Sequence, residues 1–136
     1  MRIIAASVLG LCLASCNQMR NKPAPPPKFP DPKNVARIEF DNGNQSISNP
    51  DEIGAFLSEI SQVRTDWSFI WHTYPGPQKS VFLQDSNNRT LCRVDFGPRW
   101  IGSNCGQEQG DWPPLAQTSV AQDQFFQKSL GTKWEQ

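Results

Sequence analysis

The spacing of apolar positions changes several times along the chain, and each change predicts an element. Val35-Ala36-Arg37-Ile38-Glu39-Phe40 alternates apolar and polar residues, the period of a half-buried strand. Asp41-Asn42-Gly43-Asn44 tolerates positive φ and turns the chain, so Gln45 to Ser48 completes a hairpin. The period then lengthens: Ile53, Phe56, Leu57, Ile60 and Val63 form one helical stripe whose first duty is core packing. Asn49 as N-cap, Pro50 at the first helical position and Glu52 three residues after the cap mark its start as a capping box.

Alternation resumes in Trp67-Ser68-Phe69-Ile70-Trp71-His72, which predicts a strand with Trp67, Phe69 and Trp71 on one face. Tyr74-Pro75-Gly76-Pro77 breaks it. Val81 to Gln84 and Arg89 to Phe96 are the next strands, joined through Asp85-Ser86-Asn87-Asn88, and Gly97-Pro98-Arg99-Trp100 turns the chain into Ile101 to Cys105. With Pro98 and Arg99 central, residue 97 pairs with 100, 96 with 101 and 92 with 105. Cys92 and Cys105 then oppose each other as a non-hydrogen-bonded pair, where Cα atoms approach to ~4.5 Å and a disulfide can close. This register puts Cys92, Val94, Phe96, Ile101 and Cys105 on one face and Arg93, Asp95, Trp100 and Asn104 on the other. One strand earlier, a turn centred on Asn87-Asn88 pairs 84 with 91 and places Val81 and Leu83 beside Cys92 and Val94.

The segment containing Gly106, Gly110, Pro113 and Pro114 is expected to be irregular. A last helix is predicted from Ser119, with Gln122 as reciprocal cap, partly burying Phe125, Phe126 and Leu130 and stopping at Gly131. The order ββαββββα predicts an α+β fold: an antiparallel sheet, built as a hairpin plus a three- to four-strand meander, with two helices packed on one face.

The first residues follow a different logic. Arg2 precedes an apolar run from Ile3 to Leu13, far short of the ~20 residues that span a bilayer, which is the form of an export signal. Leu13-Ala14-Ser15-Cys16 resembles the lipobox of bacterial lipoproteins, over residues 1–16. The resemblance implies that residues 1–15 are a signal peptide and that Cys16 becomes an N-terminus carrying a thioether-linked diacylglycerol and, in many bacteria, a further acyl chain such as palmitate. Cys12 follows bulky Leu11 where a small residue is wanted, so it reads as part of the signal. Asn17, where aspartate would favour inner-membrane retention, implies an outer-membrane anchor facing the periplasm. From Asn17 to Asn34 six of eighteen residues are proline, interleaved with Arg20, Lys22, Lys28 and Lys33. Residues 16–34 are therefore expected to be a lipidated, proline-rich tether in extended polyproline II, and residues 35–136 a single globular domain.

Composition narrows the function. Thirteen basic and thirteen acidic residues leave no basic excess, so nucleic acid is not an expected partner. Once Cys12 is removed and Cys16 lipidated, Cys92 and Cys105 are the remaining cysteines, most simply a disulfide in an oxidising compartment, and no thiol is left for catalysis. His72 is the single histidine and no nucleophile-elbow motif accompanies it, so no catalytic residue, metal or cofactor is assigned. Asp95, Glu108 and Asp111 could converge as an acid/base pair, but no spacing requires it, which makes a hydrolase the weakest alternative.

Five tryptophans exceed what so small a core absorbs. Trp100 beside Arg99 at a hairpin tip has the composition of an interface anchor, and Trp67, Trp71 and Tyr74 join them as candidate binding residues. The competing expectation is that Trp100 packs on the polar sheet face, over Trp71 or Trp112. The sequence thus predicts a non-enzymatic, lipid-anchored periplasmic module acting by protein contact, of inhibitor, immunity or envelope-assembly type. The alternative is a peptidoglycan or glycan binder that stacks the same rings on sugars.

Overall fold

Strands with a two-residue apolar period build most of this structure, a computed structural model that describes residues 22–64, 67–69, 74–107 and 113–135. In chain order the strands are β1 (Lys22–Pro23), β2 (Arg37–Phe40), β3 (Ser46–Ile47), β4 (Ser68–Phe69), β5 (Lys79–Gln84), β6 (Thr90–Gly97), β7 (Trp100–Ser103) and β8 (Leu115–Gln117). Two helices, α1 (Pro50–Ser61) and α2 (Val120–Ser129), complete the α+β fold. The strands form one antiparallel sheet in the order β1-β4-β8-β7-β6-β5-β2-β3.

Local chemistry sets the helix ends. Asn49 Oδ1 accepts the N–H groups of Asp51 and Glu52 at 2.9 and 3.4 Å, which satisfies two of the four orphan donors of α1. At α2 the box is reciprocal: Gln122 N–H donates to the Ser119 hydroxyl at 3.1 Å, and Gln122 Oε1 accepts Ser119 N–H at 2.9 Å. Gly131 ends the helix at φ +60°, a conformation that glycine adopts without a Cβ penalty.

Both helices pack on the same face of the sheet. Phe96 lies 6.0 Å from Phe56 of α1 and 5.0 Å from Phe126 of α2, ring centre to ring centre, and Phe56 and Phe126 are 6.0 Å apart. Around this trio Ile38, Phe40, Ile53, Leu57, Ile60, Val81, Leu83, Val94, Ile101 and Leu130 are buried. Each such side chain withdrawn from water contributes about 1.5–3 kcal/mol, so this face supplies the driving force for folding.

The β6–β7 register is the one the turn predicts: Gly97 pairs with Trp100, Phe96 with Ile101 and Val94 with Ser103. Beyond the ladder, Asn104 N–H donates to the Arg93 carbonyl, and Cys92 and Cys105 are joined by a disulfide across a Cα separation of 5.0 Å.

Three features depart from the expectation. The β5–β6 pairing holds the predicted register from Lys79 to Leu83 but then slips, so Gln84 pairs with Thr90 and not with residue 91. Asp85 causes the slip. Its Oδ1 accepts the N–H groups of Asn87 and Arg89, its own N–H donates to the Arg89 carbonyl, and Asn88 takes up φ +60°. The turn thereby consumes one more residue than a two-residue hairpin does. Those N–H donors, Arg89's first, hold the Asp85 carboxyl below the usual carboxylate range. A second departure is β8, which falls where an irregular segment is expected; its three residues, Leu115–Gln117, are too few to display a period.

The strand read from Trp67 to His72 is seen at Ser68–Phe69, and residues 70–73 lie outside the described residues. The third departure is the tether. Residues 22–34 are docked on the domain: β1 pairs with β4, Ala24 N–H donates to the Trp67 carbonyl at 2.8 Å, Lys28 N–H donates to the Cys105 carbonyl at 3.2 Å, and Ala24 and Phe29 pack against the core. Pro32–Asn34 forms a 3-10 turn leading into β2. Proline is compatible with β1 because an edge position does not require its missing N–H. Among the described residues no helix is long and apolar enough to cross a membrane.

Candidate functional site

The same alternation that fills the core sends every second residue to the opposite face of the sheet. Pairing lines these residues up in rows: Glu39, Phe82 and Arg93; Ser80, Asp95, Gly102 and Leu115; Gly97, Trp100 and Gln117. Asp95 stands at the centre and is 1% exposed. A carboxylate buried so deeply must be fully partnered. Its Oδ1 accepts the Ser80 hydroxyl at 2.6 Å, and its Oδ2 accepts the Tyr74 hydroxyl at 3.0 Å and pairs with the Arg93 guanidinium at 3.0 Å. Arg93 itself is partly exposed, so its charge is fixed in place but faces solvent. Burial, and secondly the Asp95 charge, push the Tyr74 phenol well above the usual tyrosine range and keep it a neutral donor.

Two glycines let aromatic rings lie against this face. A Cβ on Gly102 would overlap the Tyr74 hydroxyl, and one on Gly97 would overlap the Trp100 indole. With both positions bare, Tyr74 and Trp100 meet edge to face at 6.1 Å and 84°. Trp100 is half-buried, resting on Gly97 and Tyr74. It packs on the polar sheet face while keeping part of its surface in water.

Arg99 sits at the tip of the β6–β7 turn with φ +63°. Pro98 before it has φ fixed near −65°, so the turn belongs to the class that needs positive φ at its second central residue, a position glycine would fill without strain. Arg99 is held there by three bonds: its N–H donates to Asp123 Oδ1 at 3.0 Å, its Nε donates to the Thr118 carbonyl at 2.9 Å, and its carbonyl accepts Thr118 N–H at 3.0 Å. Asp123 also accepts the Trp134 indole N–H at 2.9 Å. The first turn of α2 therefore fixes the edge of the aromatic face.

The structure brings together two of the predicted binding residues, Trp100 and Tyr74, whereas Arg99, next to Trp100 in the chain, turns its guanidinium to the Thr118 carbonyl. It removes one: Trp67 is 3% exposed and its indole N–H donates to the Val63 carbonyl at 2.6 Å, so this ring belongs to the core and offers no face to a ligand. Trp71, Trp112, His72, Glu108, Asp111 and the lipidation candidate Cys16 lie outside the described residues. Ser80, Gly97, Gly102 and the central role of Asp95 were not read from sequence. The two glycines inside strands are the available signal, since such a glycine marks a close approach by another group.

Chemically, both Asp95 oxygens are already engaged, which makes it a structural anchor for Tyr74 and Arg93. Among the described residues no three His, Cys, Asp or Glu side chains converge as metal ligands. What the face offers is a preset aromatic pair flanked by the Arg93 cation. A scan against protein-family models, a search of curated proteins and a search of solved structures each found no match.

Proposed function

We propose that this chain is a lipid-anchored protein of the bacterial envelope, held at the outer membrane through Cys16, and that it acts by protein contact through the helix-free face of its sheet. The observation that carries the contact reading is the Tyr74–Trp100 pair, locked over Gly102 and Gly97 beside the partly exposed Arg93. Trp, Tyr and Arg are the residue types that dominate binding energy at interfaces, and rings held in place beforehand lose little freedom on association. The lipobox-like Leu13-Ala14-Ser15-Cys16 and the disulfide, which suits an oxidising space, support the address. No catalytic step is assigned to the domain.

Purification of the tagged, lipidated chain from envelopes tests the contact. A stoichiometric protein partner is expected, with binding weakened about 30-fold, or ~2 kcal/mol, by Trp100→Ala. Sedimentation of the chain with purified peptidoglycan, together with no protein partner, would replace this reading with glycan stacking. The anchor is tested separately: incorporation of labelled palmitate should survive Cys12→Ser and be lost in Cys16→Ser.

A further inference from the structure

The docked residues 22–34 change what the N-terminal segment does. An extended tether over residues 17–34 would lift the domain by up to ~56 Å at ~3.1 Å per residue. Instead Lys22–Pro23 is an edge strand of the sheet, and the chain is fixed again at Ala24, at Lys28 and at the core-packed Phe29. A Cβ on Gly106 would lie 2.7 Å from Lys28 Cβ, so the segment fits closely against the turn that follows the disulfide. Six residue steps separate Cys16 from Lys22, a reach of about 20 Å when fully extended.

We infer that residues 22–29 are an integral strap of the domain and hold its β1 edge at the surface of the phospholipid bilayer. The inference rests on the proposed lipid anchor at Cys16. The membrane-facing surface is then the β1–β4 side, while β3 at the opposite end of the strand order stands up to ~34 Å farther out, at ~4.8 Å per strand. The aromatic face rises from the bilayer between these edges, so a partner that meets Trp100 does so close to the membrane.

Neutron reflectometry on a supported phosphatidylcholine bilayer tests the inference. The chain beginning at Cys16, with Cys92 and Cys105 in their disulfide, has one free thiol and can be coupled to a maleimide-bearing lipid. Protein density is expected to begin within about 20 Å of the head groups. A hydrated gap on the order of 50 Å would overturn the strap. Inserting twelve prolines between Asn21 and Lys22 is expected to widen the gap by up to ~37 Å; an unchanged profile would also overturn it, because the linker would not be setting the distance. Hydrogen exchange supplies an independent readout: slow exchange at the Ala24 and Lys28 amides is expected, and exchange at the free-peptide rate contradicts docking. Coupling is chemical here, so loss of the anchor reading is distinguishable. Failure of palmitate labelling at Cys16 removes the membrane-facing role, whereas a wide gap or rapid exchange removes the strap alone.

Discussion

On the helix-covered face of the sheet, Val81, Leu83, Val94, Phe96 and Ile101 lose essentially all contact with water and join one apolar cluster with the helices. On the opposite face Asp95 is just as buried, but its surroundings are Ser80, Tyr74 and Arg93. The two faces reach similar burial by different physics. The first gains from area removed from water, a non-directional term that tolerates small rearrangements. The second gains little net energy from each polar bond and loses heavily when one partner is missing, so it fixes geometry more than it adds stability.

The sharpest way to separate the faces is to truncate each at its centre. Phe96→Ala removes the ring that touches both Phe56 and Phe126 and leaves a cavity between sheet and helices. Denaturant unfolding should show a loss of about 3–5 kcal/mol. Asp95→Ala should cost about 3 kcal/mol by leaving Arg93 and two hydroxyls without their acceptor, and it should also release Tyr74. If Asp95→Ala unfolds like wild type, the second face is not held together as described.

Reducing Cys92–Cys105, which closes a loop of sequence separation 13, should lower stability by about 2–3 kcal/mol. Equal melting of oxidised and reduced protein would contradict that contribution. Because the disulfide tethers β6 from the core side, its loss should leave the ordering of Tyr74 largely intact.

The smallest predicted effect is also the most local. Tyr74 is the single tyrosine of the chain, so tyrosinate absorbance reports on it alone. Its folded pKa is raised above the unfolded value of about 10, mainly by burial and then by Asp95, so its contribution is fully present below pH 10 and is lost as pH rises beyond that. Tyrosinate should therefore appear only as the protein unfolds in alkali, and Tyr74→Phe should flatten the alkaline decline in stability. Ionisation near pH 10 in the folded protein would show that the phenol is not buried against Asp95.

The difference between the faces also explains what could be read in the sequence. Alternation specifies which way a side chain points, and a two-residue turn fixes register. The helix stripes, both N-caps, the core face of β5 to β7 and the opposition of Cys92 and Cys105 were therefore legible. Alternation does not specify what lies over a face. Asp95 has the pattern of a solvated residue and is buried by Tyr74, twenty-one positions away, through glycines whose purpose depends on that contact. Alternation places Trp67 beside a strand but does not specify its burial, which depends on the Val63 carbonyl just past the end of α1 taking its indole N–H. Proline content suggested a free tether at residues 22–34, although an edge strand and a few backbone bonds accommodate those prolines without strain. The slip at Gln84 follows from the hydrogen bonds of one side chain, Asp85, which periodicity does not register.

The central claim is that the helix-free face is the one a partner meets. Gln117 is exposed and pairs with Trp100 across β7 and β8, while Gln124 is exposed on α2. Placing a photo-crosslinking amino acid at one position or the other in the full-length protein, and irradiating whole cells, compares the two surfaces directly. A discrete crosslinked protein from position 117, absent from position 124 and lost when Trp100→Ala is added, is the predicted result. Crosslinking from position 124 alone, or a product at 117 indifferent to Trp100, would contradict the account.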